Sequence, residues 1–146
     1  MMRQALLRGD EMSPRIHVRV DFSESCSIGP GKIGLLEQIE RTGSLSGAAR
    51  ELKMSYRRAW LLLTSTNTGF SEPVAQLSTG GIEGGGAKLT TFGRKLVADY
   101  RGFEQAAHAL AQKAFAGIRV GRGGSSDSVS KPRAIKRPVK SGKQAQ

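Results

Sequence analysis

The sequence predicts a mainly α-helical domain with a small β wing, a winged helix-turn-helix with a long C-terminal dimerisation helix. Three observations carry that prediction. Residues 43–70, GSLSGAARELKMSYRRAWLLLTSTNTGF, hold two short helical periodicities with a break between them. A glycine-rich stretch, TGGIEGGGA at 79–87, follows between two strand-like runs. A long helical run with apolar residues spaced by four and three comes after it.

The 146 residues leave room for one domain with ragged ends. The expected organisation is a flexible N-terminus at 1–14, the domain at 15–116 and a disordered basic tail at 117–146. Cys26 is the single cysteine, which excludes an intramolecular disulfide and a multi-cysteine zinc site. No metal site and no cofactor are expected. Residues 1–15 show no apolar core of a secretory signal, and no stretch reaches membrane-spanning length, so a cytoplasmic protein is expected. Of the net charge of +11, most sits at the C-terminal end, where 117–146 carries eight Lys/Arg against Asp127 alone. A basic body with a more basic tail suits a polyanionic partner. Paired carboxylates and nucleophile–base sets are absent from the pattern, so an enzyme is not expected.

The elements follow in order. IHVRVDF, 16–22, alternates apolar and polar residues as a half-buried strand does, with His17 on the wet face. Residues 23–31 are turn material, and Pro30 suits a helix's first turn. A helix over 32–42 carries Ile33, Leu36 and Ile39, and Gly43 stops it. Leu45, Ala49 and Leu52 share one face of a second helix with Ser46 as its cap. That helix breaks at Lys53-Met54, and Ser55 caps a third with Ala59, Leu63, Thr66 and Phe70 on its inner face. Residues 74–78 and Lys88-Leu89 read as two strands of a wing. Five glycines in its loop let the backbone approach phosphate or a narrow groove. An ATP-binding loop is excluded, since Gly86-Ala87-Lys88-Leu89 lacks the Gly-Lys-Ser/Thr ending. Thr90 caps the last helix, whose Leu96, Tyr100, Phe103, Ala107, Leu110 and Ala114 form a seam for a second copy of the chain.

In a helix-turn-helix the second helix enters the major groove with its first residues nearest the bases. Those residues are Ser55, Tyr56, Arg57 and Arg58, and the two guanidinium groups suit guanine edges or phosphates. Thr64 follows a turn further on. Ser44 and Ser46 meet backbone phosphate or cap their helix, while Thr79, Gly80, Gly81, Gly84, Gly85, Gly86 and Lys88 lay the wing along the neighbouring strand.

TGSLSGAARELKMSYRRAW, followed by STGGIEGGGAKLTTFGRKL, resembles the N-terminal winged helix-turn-helix of the molybdate-dependent transcriptional regulators, the ModE family, over about residues 31–116. It is similar, more distantly, to the DNA-binding domain of LysR-type regulators. The motifs are the Ser-Tyr-Arg-x-Ala-Trp start of the third helix and the wing that ends in Leu89, Thr90 and Gly93. The resemblance implies double-stranded DNA as partner, molybdate-related gene control, and Tyr56 and Trp60 in the recognition helix, with the core as the other reading of Trp60. Full-length members also bind molybdate through β-barrel domains. The basic tail shows no strand pattern, so no molybdate site is expected in this chain. Leu61-Leu62-Leu63 departs from the family's pattern, and a contact with a thymine methyl is one use for Leu61. Two other readings stand beside specific binding as a homodimer: an interaction module pairing with a full-length relative, and a nucleoid-type binder indifferent to sequence.

Overall fold

Pro30 opens α1, Pro30–Thr42, in the computed structural model of the chain, which describes residues 14–79, 85–119 and 121. Proline costs nothing at this position, because the amide it lacks would have had no partner in the helix. Gly43 closes α1 at φ 72, donating its N–H to the Ile39 carbonyl, a left-handed turn that any side chain would oppose. Ile33, Leu35, Leu36 and Ile39 are buried, so α1 is the central element of the core.

Two short antiparallel strands precede it, β1 (Val20–Asp21) and β2 (Ser27–Ile28), with Val20 opposite Ile28. The expected strand over 16–22 is therefore shorter. Side chains of 14–20 do alternate between half-buried and exposed, but only Val20 and Asp21 find a partner strand. The expected turn at 23–31 contains that partner, and Cys26 and Ile28 turn inward from it.

After α1 come α2 (Leu45–Glu51) and α3 (Tyr56–Gly69). Ser44, not Ser46, caps α2, its hydroxyl accepting from the Gly47 N–H at 2.9 Å. The physical reason is that α2 already starts at Leu45, two residues earlier than a cap at Ser46 requires. Lys53 closes α2 in the left-handed region, φ 53, while Met54 N–H reaches back to the Ala49 carbonyl at 3.0 Å. This is a Schellman-type ending with lysine where glycine is usual. Ser55 caps α3 by accepting from the Arg58 N–H at 3.2 Å, and Ala59, Leu63 and Thr66 face the core.

The wing strands are β3 (Ala75–Ser78) and β4 (Gly86–Leu89), antiparallel with Ala75 opposite Leu89 and Ser78 opposite Gly86. Ala87 donates its N–H to the Gly43 carbonyl at 2.8 Å, which fastens the wing to the end of α1. The last helix, α4, spans Thr91–Ala114 and is capped by Thr90, which accepts from the Gly93 N–H at 2.9 Å. Arg94 pairs with Glu40 at 2.8 Å and Arg101 with Glu37 at 2.7 Å, tying α4 to α1.

The chain divides into two units, 1–116 and 117–146. In the second, the described residues 117–119 and 121 are exposed and belong to no helix or strand. Of the expected flexible N-terminus at 1–14 and disordered tail at 117–146, residues 1–13, 120 and 122–146 lie outside the described residues. Among the described residues no helix is long and apolar enough to cross a membrane.

Candidate nucleic-acid interface

Two ladders run along α3. Ala59, Leu63, Thr66 and Phe70 repeat by four, three and four on the inside, and the first three are fully buried. Arg57, Leu61, Thr64 and Thr68 repeat by the same steps two residues out of phase, which at 3.6 residues per turn puts them on the opposite side. Arg57, Leu61 and Thr68 are exposed and Thr64 half-buried. One helix thus presents a packed face to the body and a crest to solvent.

The arginines stand where helix electrostatics disfavours them. Arg57 and Arg58 occupy the first turn of α3, where the positive end of the helix dipole prefers acids. No Asp or Glu lies in α3, and neither arginine has an ion-pair partner among the described residues. Folding alone gives no reason for that arrangement, whereas an external anion does. Trp60 is 44% exposed and Tyr56 is exposed beside it, so the core reading of Trp60 is overturned. With Ala59 taking the core position, the residue after it points sideways.

The wing stands next to this helix start. Leu45, Ser46, Tyr56, Leu77, Ser78, Thr79, Gly85 and Gly86 line one concave surface. It joins the beginning of α2, the first residue of α3 and both wing strands. Ser46 is exposed there, while Ser44 is committed to capping through its oxygen. Gly86 donates its N–H to Ser78 Oγ at 3.1 Å. A Cβ on Gly85 would lie 2.5 Å from the Ser78 carbonyl oxygen, so the strands close up only without a side chain at that position. Lys88 is exposed on β4, and Thr79 is exposed at the end of β3. Gly80, Gly81 and Gly84 lie outside the described residues.

Asn67 fixes the wing's position, a role the sequence reading missed. Its Oδ1 accepts from the N–H of Val74 at 2.8 Å and of Ala75 at 3.2 Å, and its Nδ2 donates to the Ala75 carbonyl at 3.0 Å. These partners lie across the chain, and no local spacing announces them. Thr68 was also missed, although continuing the outer ladder by four residues from Thr64 finds it.

The expected dimer seam divides in two. Leu96 and Tyr100 are buried in the chain's own core, and Tyr100 Oη donates to the Val18 carbonyl at 2.7 Å. These two residues are thereby corrected: packing against α1 and the segment before β1 occupies them, so they have no surface for a second chain. Burial, reinforced by the Glu104 carboxylate and opposed by Arg101, raises the Tyr100 phenol above its ordinary range. Phe103, Leu110 and Ala114 are exposed and Ala107 half-buried. Among the described residues no group of His, Cys, Asp or Glu is arranged to hold a metal ion.

A helix-turn-helix pair with a two-stranded wing beside the second helix defines the class: the domain is a winged helix-turn-helix. No family model matches the chain. Curated relatives do. It is 39% identical over 85 residues to the molybdenum transport protein ModE of Azotobacter vinelandii, covering 58% of this chain and 32% of that protein. It is 44% identical over 77 residues to the molybdenum-pterin-binding protein MopB of Rhodobacter capsulatus, covering 53% and 28%. It is 32% identical over 104 residues to the DNA-binding transcriptional dual regulator ModE of Escherichia coli K12, covering 71% and 38%. The matched segment is homologous to a segment of the ModE regulators, and the chain spans about a third of the length of these relatives.

Proposed function

We propose that the domain is the DNA-binding part of a transcriptional regulator in molybdate-related gene control. α3 enters the major groove with Arg57 and Arg58 at the bases or phosphates, and the wing follows the flanking backbone or minor groove. Two copies pair through the distal half of α4, which sets two recognition helices on a near-palindromic operator. The basic residues after Gly117 add affinity that is indifferent to sequence and sensitive to salt. The observation that carries this reading is the arginine pair in the first turn of α3, exposed beside the wing and without an ion-pair partner among the described residues. The names of the ModE relatives support it.

Fluorescence anisotropy against a selected duplex and its scrambled version tests the division of labour. Replacing Arg57 and Arg58 by Ala removes the preference for the selected duplex. Deleting 117–146 weakens both duplexes alike and flattens the salt dependence. Equal losses on both duplexes for both variants would contradict the reading.

A further inference from the structure

We infer that Leu61 is a specificity-determining residue of α3 that reads the 5-methyl group of a thymine in the half-site; this rests on the DNA-binding reading above. The outer crest of α3 places Leu61 one turn beyond Arg57 and one turn before Thr64, on the side opposite the buried Ala59 and Leu63. It is 51% exposed, and it joins none of the packed side chains around the core, unlike its neighbour Leu62. The exposed half of this leucine, held by no neighbour of the core, is open to a partner that approaches the crest.

Charge complementarity commits this face to one occupant. Arg57 and Arg58 lead the helix, no acid lies along it, and Lys88 stands on the adjacent wing strand, so the partner that reaches Leu61 is an anion with apolar spots. In the major groove of B-DNA the apolar feature on a base edge is the thymine methyl. The arginines at the start of the crest cannot supply this contact, because guanidinium groups seek acceptors. Leu61 therefore adds a discrimination that the arginines lack: thymine over cytosine at one position.

The test uses the full chain and a duplex that it selects from a random pool. Each thymine is replaced in turn by deoxyuridine, which removes the methyl and leaves every hydrogen-bonding group. One replacement per half-site lowers wild-type affinity by about fourfold, as burial of one carbon predicts. L61A binds the unmodified duplex correspondingly less well and is indifferent to that replacement, while L61M restores the sensitivity. Circular dichroism of L61A matching wild type shows that the fold is intact, as expected for a half-exposed residue. If no replacement affects wild type, or if L61A keeps the wild-type sensitivity, the inference is overturned while DNA binding stands. If the pool yields no enriched sequence, the reading as a sequence-specific regulator itself fails and takes the inference with it.

Discussion

A Cβ added to Gly93 would stand 1.9 Å from the carbonyl oxygen of Val74. That oxygen also accepts the Thr90 N–H at 3.0 Å, so it is held in place from a second direction. The glycine of the Leu-Thr-x-x-Gly motif therefore lets the first turn of α4 lie directly on the strand entering the wing. Gly93→Ala gains up to about 1 kcal/mol of helix propensity but forces backbone apart, and the net effect is a loss of about 1–3 kcal/mol. Urea denaturation measures it; an unchanged midpoint would refute the packing argument.

Asn67 joins α3 to β3 through both ends of its side-chain amide. Asn67→Ala strands the N–H groups of Val74 and Ala75, both of which belong to buried residues, at a cost of at least about 2 kcal/mol. Asn67→Asp keeps the acceptor for both N–H groups but sets a carboxylate oxygen against the Ala75 carbonyl in place of the donor, so it protects the two amides from exchange without restoring full stability. Hydrogen exchange at the Val74 and Ala75 amides separates this from general unfolding: both accelerate in Asn67→Ala beyond the core amides of α1.

Tyr100 makes stability depend on alkaline pH. Its folded pKa is raised above the ordinary 10.0, chiefly by burial and next by Glu104. The unfolded chain therefore releases its phenolic proton first as pH rises, and stability falls from about pH 10 upward while remaining intact below it. Tyr100→Phe loses the hydrogen bond to Val18 and is less stable at pH 8 by about 1 kcal/mol, but its melting temperature declines less between pH 9 and pH 11. Thermal melts across that range on both proteins decide the matter; parallel declines would exclude Tyr100 as the cause.

What the sequence disclosed and what it concealed follow from the range of each interaction. Gly43, Ser55 and Thr90 were legible because caps act within three or four residues. Ser44 and Ser46 compete over a distance that only the end of α1 decides, and the choice between them was missed. The alternation at 16–22 reported which side faces inward but not whether a strand lies alongside, so β2 went unseen and β1 was drawn too long. Asn67 carried no local signal, since its partners sit seven and eight positions on and across a bend. The four-three period of α4 runs unbroken from Leu96 to Ala114, yet Val18 and Glu37 meet only its proximal part. Periodicity marks an apolar face without marking where the body beneath it ends.

That boundary yields the last prediction. Beyond Arg101, Phe103 is 50% and Leu110 68% exposed on the continuing seam, with Phe115 and Ile118 exposed after it. Apolar groups at this spacing suit a helical partner of the same kind, the arrangement proposed for the two copies. Replacing Phe103 and Leu110 together by Glu adds four like charges across a paired seam, while each monomer loses little because neither side chain enters the core. Sedimentation equilibrium is expected to show a dimer for wild type and a monomer for the double variant. On a duplex with two half-sites the variant binds at least about tenfold more weakly, whereas on a single half-site it matches wild type, because only the joint engagement of two domains is lost. A variant that sediments as wild type would move the pairing surface away from α4.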